Sequence, residues 1–214
     1  MNFEFARAQM VEEQLLARGI NDARVVAAMR KIPRHLFVDT VLQEQAYDDS
    51  PLPIDAEQTI SQPYMVALMT QTLELRPDER VLELGTGSGY QTAVLAELGA
   101  EVFSIERVAV LARHARLRLE RLGYAERVRL RVGDGSGGWP EVVPFHAIVI
   151  TAAVQQIPRP LLAQLLEGGR LVLPLGEADL QGLARVRKER AGLQVDYLGE
   201  CRFVKLIGEY GWEE

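Results

Sequence analysis

With 214 residues, 48% of them hydrophobic and 25% charged, the chain is long enough to bury one good core and reads as a single domain spanning 1–214. Its net charge of −6 repels nucleic acid, and its longest apolar run, Ala147 to Val154, is far short of the roughly 18 residues a membrane helix needs. The first residues show no apolar leader, so a cytoplasmic protein is expected. Cys201 is the single cysteine, which excludes an intrachain disulfide, and His35, His114 and His146 lack metal-ligand spacing, so no metal is expected.

Residues 1–46 read as a helical portion. Met10, Val11 and Leu15 make a stripe that Gly19 ends, and Asp22 caps a second helix that stops before Pro33. A linker covers 47–63. Over 64–176, strand candidates at Arg80–Leu84, Glu101–Ile105, Arg127–Val132, Phe145–Thr151 and Arg170–Leu175 alternate with helical patterns at 89–98, 108–122 and 158–166. Such alternation predicts an α/β fold with a mostly parallel, doubly wound sheet. In 177–214, Leu183–Arg190 and Leu193–Phe203 are joined so tightly that they require an antiparallel hairpin.

The strand ending at Leu84 runs into Gly85-Thr-Gly-Ser-Gly89 and then a helix, a turn in which glycines let a ligand approach main-chain N–H groups. The spacing is not the Gly-x-Gly-x-x-Gly of pyrophosphate sites, and Glu83 sets an anion before the first glycine. An acidic loop suits a cationic ligand, and S-adenosylmethionine carries a sulfonium and an ammonium. Glu106 ends the next strand about twenty residues on, where a carboxylate accepts from ribose hydroxyls, and Asp134 follows the third strand, where it can accept from an adenine amino group. Taken alone, the glycine loop also admits a nicotinamide dinucleotide.

Upstream, Gln58-Thr-Ile-Ser-Gln-Pro-Tyr-Met65 places Ser61 just ahead of Pro63 and a stripe of Val66, Met69 and Leu73. Ser61 at a helix start either caps orphan N–H groups or faces a ligand.

With Ala46–Ile54, Val81–Gln91, Gly133-Asp-Gly135 and Thr151-Ala-Ala153 added, the chain resembles the protein-L-isoaspartate O-methyltransferases over nearly its whole length. The resemblance implies a Rossmann-like S-adenosylmethionine-dependent methyltransferase fold. It implies methyl transfer to the α-carboxyl of L-isoaspartyl residues in damaged proteins and peptides, leaving S-adenosylhomocysteine, with the repair proceeding through a succinimide. A monomer is expected.

Ser61 is the expected catalytic residue, as an orienting group rather than a nucleophile. Thr59, Ile60, Pro53 and Val204 are expected to bind substrate. Glu83, Gly85, Thr86, Gly87, Ser88, Gly89, Glu106, Arg107, Asp134, Gly135 and Thr151 are expected to bind the cofactor. The chain departs from the family pattern at Asp55-Ala-Glu57, where a glycine turn is usual, at His146 for an Asp, and at Lys205 for a Pro. The first departure puts two carboxylates beside the expected acceptor loop. It keeps open a methyltransferase acting on another carboxylate, and a protein that binds S-adenosylmethionine without turnover.

Overall fold

The computed structural model describes residues 2–213. Asn2 caps α1 (Phe3–Met10), which continues through one wide turn at Val11–Leu15 and a tight turn at Leu16–Arg18 before Gly19, at φ 86°, stops it. The expected stripe is therefore split. Met10, Val11 and Leu15 are all buried, yet across a π turn rather than on one regular helix. Asp22 caps α2 (Ala23–Lys31) by accepting from the Arg24 and Val25 N–H groups at 2.8 and 3.4 Å. The isolated two-residue strands β1 (Leu52–Pro53) and β2 (Thr59–Ile60) form a hairpin ahead of α3 (Pro63–Thr72).

The central sheet contains β3 (Arg80–Leu84), β4 (Glu101–Glu106), β5 (Val128–Val132), β6 (Phe145–Ile150), β7 (Leu165–Gly176), β8 (Gln181–Glu189) and β9 (Gly192–Cys201). Its order is β5-β4-β3-β6-β7-β8-β9. The first five strands in that order pair in parallel, and β7-β8-β9 is an antiparallel meander, as the short connections require. Helices α4 (Tyr90–Glu97) and α5 (Ala109–Arg121) make the crossovers flanking β4, and α6 (Arg159–Gln164) leads into β7.

Strand β7 starts at Leu165, earlier than the expected Arg170. Leu165 and Leu166, placed by periodicity in a helix, belong to an irregular first stretch that pairs at Phe145↔Leu165 and resumes at Ala147↔Arg170. Gly168, at φ 78°, makes the irregularity accessible to the backbone.

Two apolar clusters flank the sheet. One joins Met10, Val25, Met29, Val66, Val94 and Val149, and so lies between the sheet and the N-terminal helices with α3 and α4. The other joins Leu82, Leu84, Phe103, Phe145, Leu161 and Leu171 on the opposite face. Phe103 meets both Trp139 and Phe145 edge-on, at centroid distances of 5.7 and 5.5 Å. Cys201 is buried, and burial pushes its thiol up to about 11, so it packs as a small apolar group. Because β3 connects towards β4 on one side and β6 towards β7 on the other, a crevice opens at the carboxyl ends of β3 and β6.

Candidate active site

At that crevice lies a cleft of about 920 Å³, counted out to its open mouth. The glycine loop forms its floor. Gly85, Gly87 and Gly89 have φ of 93°, 53° and 87°, and Thr151 Oγ1 donates to the Gly85 and Leu84 carbonyls at 2.6 and 3.0 Å. A Cβ at Gly85 would sit 2.4 Å from that hydroxyl, so the close approach needs glycine. Glu106 is fixed by two backbone donors, Gly87 N to Oε2 at 2.8 Å and Val108 N to Oε1 at 2.9 Å, which hold it on the cleft wall.

Thr59, Ile60 and Ser61 line the same cleft as Tyr90 and Gln91. The N-cap position of α3 belongs to Gln62, and no side chain caps the helix, so the Ser61 hydroxyl is not engaged in capping. Gln62 instead reaches the Asp49 side chain and carbonyl at 2.7 and 3.1 Å, while Arg18 pairs with Asp49 at 3.0 Å. These bonds tether the linker to the N-terminal helices. Beneath Tyr90 sits Arg34, fully buried, its guanidinium 4.9 Å from the ring centre and its Nε donating to the Ala46 carbonyl at 2.7 Å. Burial lowers Arg34 to about 10, which still leaves it charged at neutral pH. Nothing in the spacing of Arg34 marked it as part of this neighbourhood.

The far wall is the segment Val204 to Ile207. It is fastened by Ala153 N to the Val204 carbonyl at 2.7 Å and Leu206 N to the Ala153 carbonyl at 2.9 Å. Its continuation is held by Asp134, which accepts from Ser136 N at 2.7 Å and Glu209 N at 2.9 Å. Burial alone would raise the Asp134 carboxyl. The backbone donors Glu209 and Ser136 outweigh that and set it below its usual range. A depressed carboxyl gives a contribution that is present above the ordinary carboxylate pKa and lost as pH falls through the lowered value. Asp134→Ala is therefore expected to speed hydrogen exchange at the Glu209 amide and weaken S-adenosylhomocysteine binding several-fold. Unchanged exchange would show that Asp134 does not fasten the segment.

The structure brings Thr59, Ile60, Ser61, Gly85, Thr86, Gly87, Ser88, Glu106, Arg107, Gly135, Thr151 and Val204 onto one cleft. Four expected site residues are absent from its walls. Pro53 is exposed beside buried Leu52, and a Cβ at Gly89 would face Ala115 of α5. Asp134 is directed to the backbone of the C-terminal segment. Glu83 is fully buried behind the loop, accepting at Oε2 from Thr92 Oγ1 and Ser104 Oγ, both at 2.6 Å. Gln58, Val66, Leu84, Tyr90, Ile105 and Leu206 are wall residues beyond the expected set.

At the departure Asp55-Ala-Glu57, Ala56 and Glu57 take φ of 56° and 58° without being glycine. Asp55 pairs with His114 of α5 at 3.0 Å. Lys205 lies on the cleft wall with its Nζ 4.8 Å from the centre of the Trp212 ring. His146 accepts from Arg80 N at 3.0 Å, at the other end of the sheet.

The donor set fits S-adenosylmethionine. A glycine floor admits close approach, one carboxylate stands on the wall and a second is buried behind it, an arrangement that attracts a sulfonium and repels a pyrophosphate. Fold and cleft together define an S-adenosylmethionine-dependent methyltransferase. The family model described as Protein-L-isoaspartate(D-aspartate) O-methyltransferase matches residues 6–211, and the chain belongs to that family.

A protein-L-isoaspartate O-methyltransferase 1 of Syntrophobacter fumaroxidans is 57% identical over 213 residues, covering 100% of this chain and 99% of the relative. One from Methanoculleus marisnigri is 54% identical, covering 97% and 94%. Among solved structures, a protein-L-isoaspartate O-methyltransferase aligns at TM-score 0.85 and 31% identity, over 96% of this chain and 67% of that one. A Plasmodium falciparum protein of the same description, in complex with S-adenosyl-L-homocysteine, aligns at TM-score 0.82 and 26% identity, over 94% and 98%.

Proposed function

We propose that the chain methylates the α-carboxyl of L-isoaspartyl residues in damaged proteins and peptides, with Ser61 orienting the acceptor. The observation that carries this is that Ser61 lines the same cleft as the glycine loop, at a helix start with no side-chain cap. When bound, S-adenosylmethionine supplies an electrophilic methyl group. The acceptor carboxylate is ionised at neutral pH and needs no general base, consistent with the absence of any histidine from the cleft walls.

The work left to the protein is positioning and exclusion of water. Thr59, Ile60 and Ser61 line one side of the acceptor end and Val204 the other, while Gly85–Ser88, Glu106, Arg107, Gly135 and Thr151 form the cofactor end. The resulting methyl ester collapses to a succinimide, which partly reopens to normal aspartate. A monomer is the working unit in the same reading. A cytoplasmic setting belongs to the same reading, and no helix among the described residues is long and apolar enough to cross a membrane.

The test is transfer of labelled methyl from S-adenosylmethionine to an isoaspartyl peptide and to its aspartyl twin. Labelling of the isoaspartyl peptide alone is expected. Labelling of neither, with the cofactor still bound, would overturn the acceptor assignment.

A further inference from the structure

Glu83 is a fully buried carboxylate beside the cleft, with hydroxyls rather than a cation as its hydrogen-bond partners. Its Oε2 accepts from Thr92 Oγ1 and Ser104 Oγ, and its Oε1 has no partner. Ser104 Oγ lies 2.6 Å from Thr86 Oγ1, and Thr86 is on the cleft wall, so two hydroxyls link the buried carboxyl to the space above the glycine loop. The groups turned towards it are Thr92 from α4, Ser104 and Glu106 from β4, and the pairing residue Val149 from β6. Of these, only Glu106 is charged, and it carries the same sign. A buried carboxylate with an orphan oxygen and an acidic neighbour is stabilised as an anion only when a cation arrives nearby.

We propose that Glu83 is a buried counter-charge whose proton occupancy follows the charge of the ligand: ionised beneath the sulfonium methyl donor and protonated beneath the neutral thioether product. The inference rests on the S-adenosylmethionine reading of the cleft. Methyl transfer itself consumes one sulfonium and one carboxylate and yields a thioether and an ester, with no proton exchanged. Glu83 then takes one proton from solvent, by way of the Ser104 and Thr86 hydroxyls, once the positive charge has gone. Removing the buried anion as the cation vanishes avoids leaving an uncompensated charge in the core, and arrival of a fresh sulfonium drives the proton off again. Burial, opposed by the Ser104 and Thr92 hydrogen bonds and reinforced by Glu106, brings the carboxyl to about 7, where such a switch works near neutrality.

Titration calorimetry in buffers of different ionisation enthalpy measures protons released on binding, with S-adenosylmethionine and S-adenosylhomocysteine as ligands and Glu83→Gln as the comparison. The ligands' own ammonium groups contribute alike in both proteins, so the difference between them is the readout. With a carboxyl near 7, the wild type at pH 7 is expected to release roughly half a proton more than the variant on binding S-adenosylmethionine, and to take up roughly half a proton more than the variant on binding S-adenosylhomocysteine. Wild-type affinity for the methyl donor should fall by about tenfold from pH 8 to pH 6 relative to the variant.

Equal proton release by the two proteins would overturn the proposal, whereas failure of wild type to bind either ligand would overturn the cofactor reading itself. Should Glu83→Gln fail to fold, infrared difference spectra of the wild type decide. A protonated-carboxyl band present with S-adenosylhomocysteine and absent with S-adenosylmethionine is expected, and the same band with both ligands would refute the switch.

Discussion

Gly85→Ala is expected to abolish cofactor binding while leaving the sheet intact. The new methyl would stand 2.4 Å from Thr151 Oγ1, and its residue would be held at φ 93°, where a side chain strains the backbone by roughly 1–2 kcal/mol. The loop can relieve both only by moving away from the conformation that forms the cleft floor. Thermal melting with and without S-adenosylhomocysteine checks this. At a ligand concentration 100 times Kd, wild type gains about 2.7 kcal/mol, and the variant should gain almost none. Adding Thr151→Ala removes the clashing oxygen and leaves the next contact at 3.8 Å, so the double variant should regain part of the ligand effect. Full ligand stabilisation of Gly85→Ala would mean that the glycine loop is not the cradle.

The second large effect is expected at Ser61. Ser61→Ala removes a hydroxyl that supports no helix cap, so folding stability should hold within about 0.5 kcal/mol, as for substitutions that break no named feature. Turnover on an isoaspartyl peptide should fall by about 10²-fold, the scale on which a misplaced acceptor loses rate. Binding of S-adenosylhomocysteine should be unchanged, because the proposed arrangement puts Ser61 on the acceptor side of the cleft. Steady-state kinetics and calorimetry on the same preparation separate these outcomes. A matching loss of cofactor affinity would place Ser61 in the cofactor site instead.

Much of this arrangement was legible in the residues because it depends on local rules. The span of β3 and the cap at Asp22 follow from apolar patterning and helix-end chemistry, and both stand where the sequence placed them. The positions of Glu83 and Asp134 follow from other rules. Glu83 shares strand parity with Val81, whose side belongs to the cluster under α4, so its carboxyl turns into the helix layer and not towards the loop that follows it. That parity was available in the alternation Val81-Leu-Glu-Leu84, although motif position alone argued for ligand contact. Asp134 bonds to Glu209, 75 residues away, and no local pattern announces such a partner. The start of β7 was misplaced for a similar reason. Leu161, Leu162, Leu165 and Leu166 fit a helical period, but pairing of Leu165 with Phe145 overrides it.

The C-terminal wall of the cleft is hung almost entirely on main-chain amides. Leu206 N, Glu209 N and Tyr210 N donate to Ala153, Asp134 and Ser136 while the side chains of Glu209 and Tyr210 are exposed. A wall attached in this way places few demands on which amino acids compose it. Substitution at 209 and 210 should be nearly free for most residue types, with proline the exception, because it lacks the donor that each bond requires. These two positions can therefore diverge in charge and shape beside the cleft without loosening the attachment of its wall to the fold.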